Sequence, residues 1–525
     1  MDFTQWFLFF LAVQVIHFLG TWKLYVKAGR KAWEAAVPVY NAVVLMQIIN
    51  RPKWWVVLLF VPIVNLIMFP VVWVETLRSF GKNSTTDTIL GVVTLGFYIY
   101  YVNYFADVKH LPERSIKPKT EAGETVSSIL FAVVVATIIH TYFIQPFTIP
   151  SSSLEKTLLV GDFLFVSKVN YGARIPETAI ALPMVHDTIP GLKVKSYSKF
   201  PQIPYMRLPG FEKPDYNDIM VFNWPADTIP YFGYQGNLRF NKPMDKKSNY
   251  VKRTVGLPGD NLEIKDGIVY INNQVLDLGD RAKLQYSYIV VTDGTPLDMN
   301  FIIKDLHVTE RIDQISANAY YFYSLSLEGA ERLKQLSSIK EVKRNISKDS
   351  EFHSYKKGLL AIFPHTKAWN RDNLGPIHIP AKGEVVQLNN ETLPFYKAII
   401  QEYEHNKLEV KNGSIFINDQ PTTSYTIQQD YYYMMGDNRH NSEDSRYWGF
   451  VPADHIVGKP VFIWMSMDPN VPMGKLFDKI RWERLFTTVH GTGKPHSFFI
   501  YFVVLLAGWG VYSFVKKRKS KKYNY

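Results

Sequence analysis

The sequence contains no cysteine among its 525 residues. This absence excludes disulfide bonds, catalysis by a thiol, redox chemistry at a Cys-x-x-Cys motif and zinc sites built on cysteine. It identifies no cell compartment, because many exported proteins also lack cysteine. A long basic face is missing as well: the net charge is +12, but the basic residues gather where hydrophobic runs end. Their placement argues against a nucleic-acid partner and favours a role in membrane orientation.

Long hydrophobic runs are what the sequence has instead, and 47% of its residues are hydrophobic. A helix that crosses about 30 Å of hydrocarbon needs about 20 residues. The stretches that meet this requirement are 3–22, 54–74, 88–106, 127–145 and 497–515. Pro62 and Pro70 leave the second stretch open to being kinked or re-entrant, since proline removes a backbone donor within lipid.

The short loops between these stretches differ in their content of lysine and arginine, which favour the cytoplasm. Three segments are rich in them: 23–53, 109–119 and the tail 516–522. With all three segments in the cytoplasm, the N-terminus and the long stretch 146–496 are expected on the extracytoplasmic side.

The long stretch contains short β-branched and aromatic runs between Gly, Pro, Asn and Asp, at 162–169, 218–224, 250–255 and 457–465. Such runs predict a mainly antiparallel β domain. A repeat predicts two hairpins of one design, because 262–274 is echoed by 408–420 with Asp-Gly or Asn-Gly at the first turn. The material between them, 281–400, mixes strands with a helix at 327–336 and is expected to be an α+β insertion.

A serine and a lysine in this stretch are candidates for nucleophilic catalysis. Ser153 lies eight residues past Gln145, where the fourth hydrophobic run ends, and Lys252 lies in a strand-like run before a Gly-Pro turn. Lysine takes a proton from serine only when it is uncharged, and at a pKa of ~10.4 about one lysine in 2,500 is neutral at pH 7. Lowering that pKa to ~7 or 8 takes roughly 3 to 4 kcal/mol of desolvation, so burial of Lys252 is expected.

Three segments together carry a family resemblance. They are Ile149-Pro150-Ser151-Ser152-Ser153, the pair Lys252-Arg253 before Gly256-Leu257-Pro258-Gly259-Asp260, and Gly436-Asp437-Asn438-Arg439 with the loop after it. Over 145–275 and 405–468 the chain resembles bacterial type I signal peptidases. The resemblance implies a membrane serine protease that removes signal peptides from exported proteins, placed in the cytoplasmic (inner) membrane of a bacterium.

The family pattern implies a role for each matching residue. Ser153 is the implied nucleophile and Lys252 the implied general base. The Ser151 hydroxyl and the Ser153 backbone N–H are the implied oxyanion-hole donors. Ser442 is implied to position the lysine, and Asp444 and Arg446 to form a supporting salt bridge. Phe147 and Ile149 are implied to shape shallow pockets for small substrate residues. The implied partners are the signal peptides of preproteins, the lipid bilayer and the protein export machinery. No cofactor, metal or nucleic acid is expected.

The expected fold is membrane-anchored and mainly β, with an antiparallel β catalytic domain, an α+β insertion and about five transmembrane helices. The expected boundaries are 1–108 for an N-terminal multi-span region, 127–149 for the anchor, 150–280 and 401–480 for the two parts of the catalytic domain, 281–400 for the insertion, and 497–515 for a last helix before a basic cytoplasmic tail.

Departures from the family pattern leave alternatives open. Lys156 forms a Ser-x-x-Lys pattern with Ser153, as in penicillin-binding proteins, but the companion Ser-Asp-Asn and Lys-Thr-Gly elements are absent. His440 stands where the family often has Asp and is interpreted as a surface loop residue without an acidic partner. Two other functions are a peptidase dedicated to one surface-protein precursor and a non-catalytic membrane scaffold or chaperone of the same fold.

Overall fold

The computed structural model describes residues 2–118, 120–192, 194–229, 238–347 and 362–522, and the side chains as far as 518. The chain divides into two compact units. The first unit consists of Met1–Phe143, Ala173–Leu208 and Asp227–Lys247, and the second of Ile144–Gly172, Pro209–Ala226 and Ser248–Tyr525.

The first unit is built on helices. They are α1 (Phe3–Lys27), α2 (Tyr40–Ile48), α3 (Trp55–Leu58), α4 (Val64–Ser79), α5 (Thr85–Val93), α6 (Tyr98–Tyr104) and α7 (Glu121–Ile138), which continues as a π-helical turn over Ile139–Phe143. The helix α1 begins at Asp2, whose side chain accepts the backbone N–H of Gln5. Apolar side chains of α1, α2, α4 and α6 form a common core, which contains Leu24, Val44, Met46, Val72 and Val102.

Two of the five predicted membrane spans are interrupted. In 54–74, α3 ends at Leu58 and α4 begins only at Val64, because Pro62 and the positive φ of Ile63 intervene. In 88–106, positive φ values at Leu95 and Gly96 separate α5 from α6. The described helices that are long and apolar enough to cross a membrane are Phe3–Lys27, Glu121–Phe143 and Phe499–Arg518.

The second unit contains the strands. Its elements are β1 (Ile144–Thr148), β2 (Asp162–Ser167), β3 (Ile219–Asn223), β4 (Asn249–Gly256), β5 (Asn261–Lys265), β6 (Ile268–Ile271), β7 (Gln274–Val275), β8 (Gln285–Thr292), β9 (Ile312–Ser316), β10 (Ala319–Ser326), α8 (Leu327–Lys334), β11 (Ile339–Arg344), β12 (Leu374–His378), β13 (Val385–Gln387), α9 (Leu393–Ala398), β14 (Leu408–Lys411), β15 (Ser414–Ile417), β16 (Gln420–Pro421), β17 (Ser424–Thr426), β18 (Tyr431–Met435), α10 (Ser445–Trp448), β19 (Val451–Pro452), β20 (Ile456–Ser466), α11 (Leu476–Lys479), β21 (Thr487–Thr488) and α12 (Phe499–Lys522).

The main sheet has the order β1-β2-β20-β3-β4-β18-β19, with β21 paired to β20. Every pairing between its named strands is antiparallel. The four strands expected from sequence are its β2, β3, β4 and β20, so the mainly antiparallel β prediction is confirmed. The strand β1 lies at one end of this order, with β2 as its neighbour in the sheet.

The two repeated sequences form two hairpins of one design, as predicted. Strands β5, β6 and β7 form the first, and β14, β15 and β16 form the second. The first turn of each has two successive residues with positive φ, 49° and 77° at Asp266 and Gly267, and 50° and 79° at Asn412 and Gly413. Asn, Asp and Gly tolerate this conformation, which a two-residue hairpin turn requires.

The region between the hairpins contains strands of several sheets. A four-stranded sheet of order β11-β8-β10-β9 packs with α8 around a core that includes Tyr286, Val290, Phe322 and Leu333. We call this the inserted sheet. The chain then returns to the first hairpin, because β12 pairs with β5, while β13 pairs with β17. The strands β12 and β13 lie within the predicted insertion 281–400, yet both pair with strands outside it.

Candidate active site

Ser153 and Lys252 meet inside the second unit. Ser153 lies in a 3-10 turn, Ser152–Leu154, which follows β1, and Lys252 lies within β4. The Lys252 Nζ donates a hydrogen bond of 2.7 Å to the Ser153 Oγ. Both residues are buried, with 3% of Lys252 and 7% of Ser153 exposed. The amine and the hydroxyl are therefore paired away from water, as catalysis by a neutral lysine requires.

Burial lowers the pKa of Lys252 to about 8, although the carboxylates of Asp444 and Glu443 act in the opposite direction. Desolvation penalises the ammonium form, which raises the share of molecules with a free amine. At a pKa of 8, about one molecule in ten carries the neutral amine at pH 7. A general base works best when its pKa lies near the working pH, and burial moves the pKa of Lys252 in that direction.

The loop after β18 holds two buried ion pairs. Asp437 accepts two hydrogen bonds of 2.7 Å from the guanidinium of Arg253, the residue after Lys252. Asp444 accepts two of 2.8 Å from Arg446. Burial alone would raise the pKa of each carboxyl, but its guanidinium partner holds the pKa below the ordinary value. Both carboxylates therefore stay ionised beside Lys252.

The same loop supports the turn that carries Ser153. The backbone N–H of Asn438 donates to the Ser153 carbonyl at 3.1 Å, and its side-chain amide donates to the Ser152 carbonyl at 3.1 Å. A side chain at position 436 would clash with the Ser153 carbonyl and the Ser442 hydroxyl, so the loop requires Gly436. The Gly-Asp-Asn segment is thus built around the backbone of the turn that carries Ser153.

Asn438 is itself held by the inserted sheet. The Ser324 Oγ, on β10, lies 2.8 Å from the Asn438 side-chain oxygen and 2.6 Å from the Gln285 side-chain oxygen, and its single hydroxyl proton is available to either acceptor. Gln285, on β8, donates in turn to the Glu155 carbonyl at 2.8 Å. Sequence reasoning missed Gln285 and Ser324, since neither lies in a recognisable motif. Arg253 and Asp437 lie within the family motifs named above, and their opposite charges could have indicated an ion pair.

The remaining predicted residues differ in their surroundings. Ser151 is exposed at the start of the turn that carries Ser153, with an extended backbone. The Ser442 Oγ is buried and has no hydrogen-bond partner among the described residues, so it makes no bond to Lys252. Its lysine-positioning role stays a prediction. Phe147 is partly buried and Ile149 is 3% exposed, and both pack in a core with Leu154 and Leu164.

Two features that the sequence left ambiguous have defined surroundings. Lys156 Nζ donates to the backbone carbonyl of His307, so it is not placed as the base of a Ser-x-x-Lys site. The interpretation of His440 as a surface residue was wrong. Its side chain is 1% exposed, and Nε2 lies 2.7 Å from Asp372 Oδ1, an acidic partner contributed by a segment distant in sequence.

Two family models match this chain. A family model described as signal peptidase, peptidase S26, matches residues 122–326 and 374–465, which is more than half of the chain. A model of a family of unknown function (DUF5684) matches residues 33–112.

Curated relatives carry the name signal peptidase I. The Buchnera aphidicola (subsp. Acyrthosiphon pisum) protein is 27% identical over 357 residues, which cover 67% of this chain and 78% of the relative. The Haemophilus influenzae protein is 25% identical over 71% of this chain and 78% of the relative. The Helicobacter pylori protein is 26% identical over 70% of this chain and 93% of the relative. The match of the family model over both parts of the β region shows that this chain belongs to the signal peptidase family, peptidase S26.

Proposed function

We propose that this chain acts as signal peptidase I, a membrane-bound serine endopeptidase, and that Ser153 is its nucleophile and Lys252 its general base. Membership of the signal peptidase family supports the reaction class. The observation that carries the assignment of residues is the 2.7 Å hydrogen bond between Lys252 Nζ and Ser153 Oγ, in a site where burial lowers the pKa of the amine to about 8. The substrates are preproteins with N-terminal signal peptides.

The proposed reaction has two halves. Neutral Lys252 takes the hydroxyl proton as the Ser153 Oγ attacks the scissile carbonyl carbon, and the resulting ammonium gives that proton to the departing amine. The signal peptide then remains as an ester on Ser153. A water molecule enters, Lys252 takes its proton, and attack on the ester releases the signal peptide and restores the serine.

The developing oxyanion needs donors at the nucleophile turn. We assign the Ser151 hydroxyl and the backbone N–H of Ser153 to this role, since Ser151 is exposed two residues before the nucleophile. One such donor is typically worth about 3 to 4 kcal/mol in the transition state. Asp444 and Arg446 support the site as a buried pair, and Ser442 positions Lys252 once the substrate orders the site.

The signal peptide is proposed to bind as an extra strand on the side of β1 that pairs with no described strand. The strand β1 pairs with β2 on its other side and ends five residues before Ser153. Added strands gain affinity from backbone hydrogen bonds and specificity from alternate side chains. Phe147 and Ile149, two residues apart, belong to one face and would line shallow pockets for the small residues before the cut.

The membrane arrangement is proposed from charge and from one contact. Lysine- and arginine-rich segments at 23–53, 109–119 and 516–522 place the N-terminus and 146–496 outside the cytoplasm, with either three or five crossings. Within the first unit, Trp6 Nε1 donates to the Gln202 carbonyl at 2.6 Å, so the start of α1 and a part of 146–496 lie together. The protein is thus a multi-pass protein of the bacterial inner membrane that receives substrates from the export machinery.

The domain order follows the same scheme. We assign 1–108 and 127–149 to the membrane region and its anchor, 150–280 and 401–480 to the catalytic domain, 281–400 to the insertion and 497–515 to the last span. The helix Glu121–Phe143 ends ten residues before Ser153, so that cleavage occurs close to the membrane surface.

The test is cleavage of a preprotein by the purified full-length protein in lipid vesicles. Ser153→Ala and Lys252→Ala should each lower kcat at least about 10³-fold, because each removes a group that reacts. The matched control is Lys156→Ala, which removes the neighbouring lysine that bonds His307 and should keep kcat within about threefold. Activity that survives Lys252→Ala but not Lys156→Ala would replace the proposed base, and full activity of Ser153→Ala would end the proposal.

A further inference from the structure

The inserted sheet is joined to the loop that carries Ser442. At the start of β8, the Gln285 N–H donates to the Asp437 carbonyl, and the Arg439 N–H donates to the Gln285 carbonyl, both at 2.9 Å. Two residues further along β8, Ser287 meets the side chain of His440. The loop is thus bound to the sheet through its backbone and then through one imidazole.

The hydrogen bonds of His440 fix its protonation. The Ser287 backbone N–H donates to Nδ1 at 3.0 Å, and the Ser287 Oγ lies 2.6 Å from the same nitrogen. A backbone N–H can only donate, so Nδ1 must carry a lone pair. The proton of the neutral ring is then on Nε2, where it is donated to Asp372 Oδ1 at 2.7 Å.

This Ser-His-Asp arrangement is not a second catalytic triad. Ser287 is 1% exposed and lies within a strand, so a substrate carbonyl has no access to its hydroxyl. In addition, the backbone N–H of the same serine occupies the nitrogen that a general base would use. The arrangement instead connects the loop that carries His440 to Ser287 of β8 and to Asp372.

A proton on Nδ1 would weaken this connection. It would place an N–H against the Ser287 backbone N–H, which would lose its acceptor, and only the Ser287 hydroxyl could still accept a hydrogen bond from the ring. The charged and titratable groups around the ring are Asp372, which favours the charged form, Arg371 and Arg446, which oppose it, Arg439 beside it in the loop, and Tyr286, whose ring centroid lies 5.5 Å away. Burial is the largest effect and lowers the pKa of His440.

We propose that His440 is a positioning residue for the signal peptidase reaction: as a neutral imidazole it fastens the loop that carries Ser442 and Asp444 to β8 and to Asp372. The inference rests on the proposed function of that site. It gives the inserted sheet a role, because the loop is held against this sheet. Arg446 links the two ends of the loop, since it donates to the Arg439 carbonyl at 2.6 Å and pairs with Asp444.

The first experiment compares kcat/KM of the full-length protein and of His440→Asn from about pH 4.5 to 9. The variant should lose roughly tenfold at pH 8, in kcat rather than KM, because the catalytic groups are misplaced while the substrate strand still binds. Below the pKa of His440, activity of the unaltered protein needs a second deprotonation. The ratio of variant to unaltered kcat/KM should therefore rise by up to about tenfold per pH unit. A ratio that stays constant with pH overturns the proposal.

A second variant keeps the imidazole. Asp372→Asn still accepts a hydrogen bond from Nε2 but removes the carboxylate that favours the imidazolium, so the extra loss of activity should move to lower pH. If activity is lost at the same pH as in the unaltered protein, or at a higher pH, the result contradicts the role of His440.

Thermal unfolding tests the same ionisation without substrate. Because the pKa of folded His440 lies below its unfolded value, the unaltered protein should lose stability as pH falls below 6.5, and His440→Asn should lose less. Equal losses overturn the proposal. Activity of Ser153→Ala would contradict the proposed function. The thermal unfolding measurement would still decide whether His440 must be neutral in the folded protein.

Discussion

Two polar, turn-rich regions of the second unit have similar composition and opposite surroundings. The loop from Gly436 to Arg446 carries Asp, Asn, Arg and Ser, and most of its side chains are buried. The hairpin from Leu408 to Gln420 carries Lys, Glu, Asn and Asp, and most of its side chains are exposed or half-buried. Composition therefore does not tell a catalytic scaffold from a surface hairpin.

The ion pairs of these regions show what the difference means. Asp444 and Arg446 have 0% and 1% of their side chains exposed. Lys407, the residue before the hairpin, and Asp419 within it have 52% and 67%. A charge buried without its partner destabilises a protein strongly, while an exposed pair is screened by water. Similar contacts should therefore respond very differently to mutation.

The largest effect is expected from Arg446→Leu. Asp444 would remain buried without its guanidinium, which costs about 3 to 5 kcal/mol, and the Arg439 carbonyl would lose a donor. The thermal unfolding midpoint of the full-length protein in lipid should fall accordingly. The control is the double variant Asp444→Asn with Arg446→Leu, which removes the orphaned charge and should recover part of the loss. A double variant that is less stable by the full sum of the two single losses would contradict this account.

A smaller effect of opposite sign is expected from Lys252→Met. Folding holds the pKa of this lysine at about 8 instead of 10.5, so at neutral pH the buried ammonium opposes folding. Removing it should raise the free energy of unfolding by up to about 3 kcal/mol while activity is lost. The gain should be complete below pH 8 and should fade as pH rises toward 10.5, where the amine is neutral in both states. A variant less stable than the unaltered protein at pH 7 would show that packing around the methylenes dominates.

Sequence predicted local features well and distant contacts poorly. The hairpins at 262–274 and 408–420 follow from Asp-Gly and Asn-Gly turns, and four strands of the main sheet, β2, β3, β4 and β20, follow from β-branched runs, because both depend on neighbouring residues. Pro62 had left the stretch 54–74 open to a kink, and the break at Ile63 follows it. The break at Leu95 was not predicted, since hydropathy averages over the turns where a helix stops. The approach of Asp372 and Ser287 to His440 was missed as well, because it joins segments distant in the chain.

The smallest effect is expected in the hairpin. Lys407 pairs with Asp419 and Glu409, and these carboxylates raise its pKa, but all three groups are open to solvent. Lys407→Ala should leave the unfolding midpoint and kcat/KM of the full-length protein within experimental error, because water and salt screen exposed charges. Asn412→Ala in the same hairpin is the contrasting variant: its φ of 50° disfavours alanine, so backbone strain should lower the midpoint although no ion pair changes. A larger loss from Lys407→Ala than from Asn412→Ala would show that the hairpin depends on its charges, and would remove the distinction drawn between it and the buried loop.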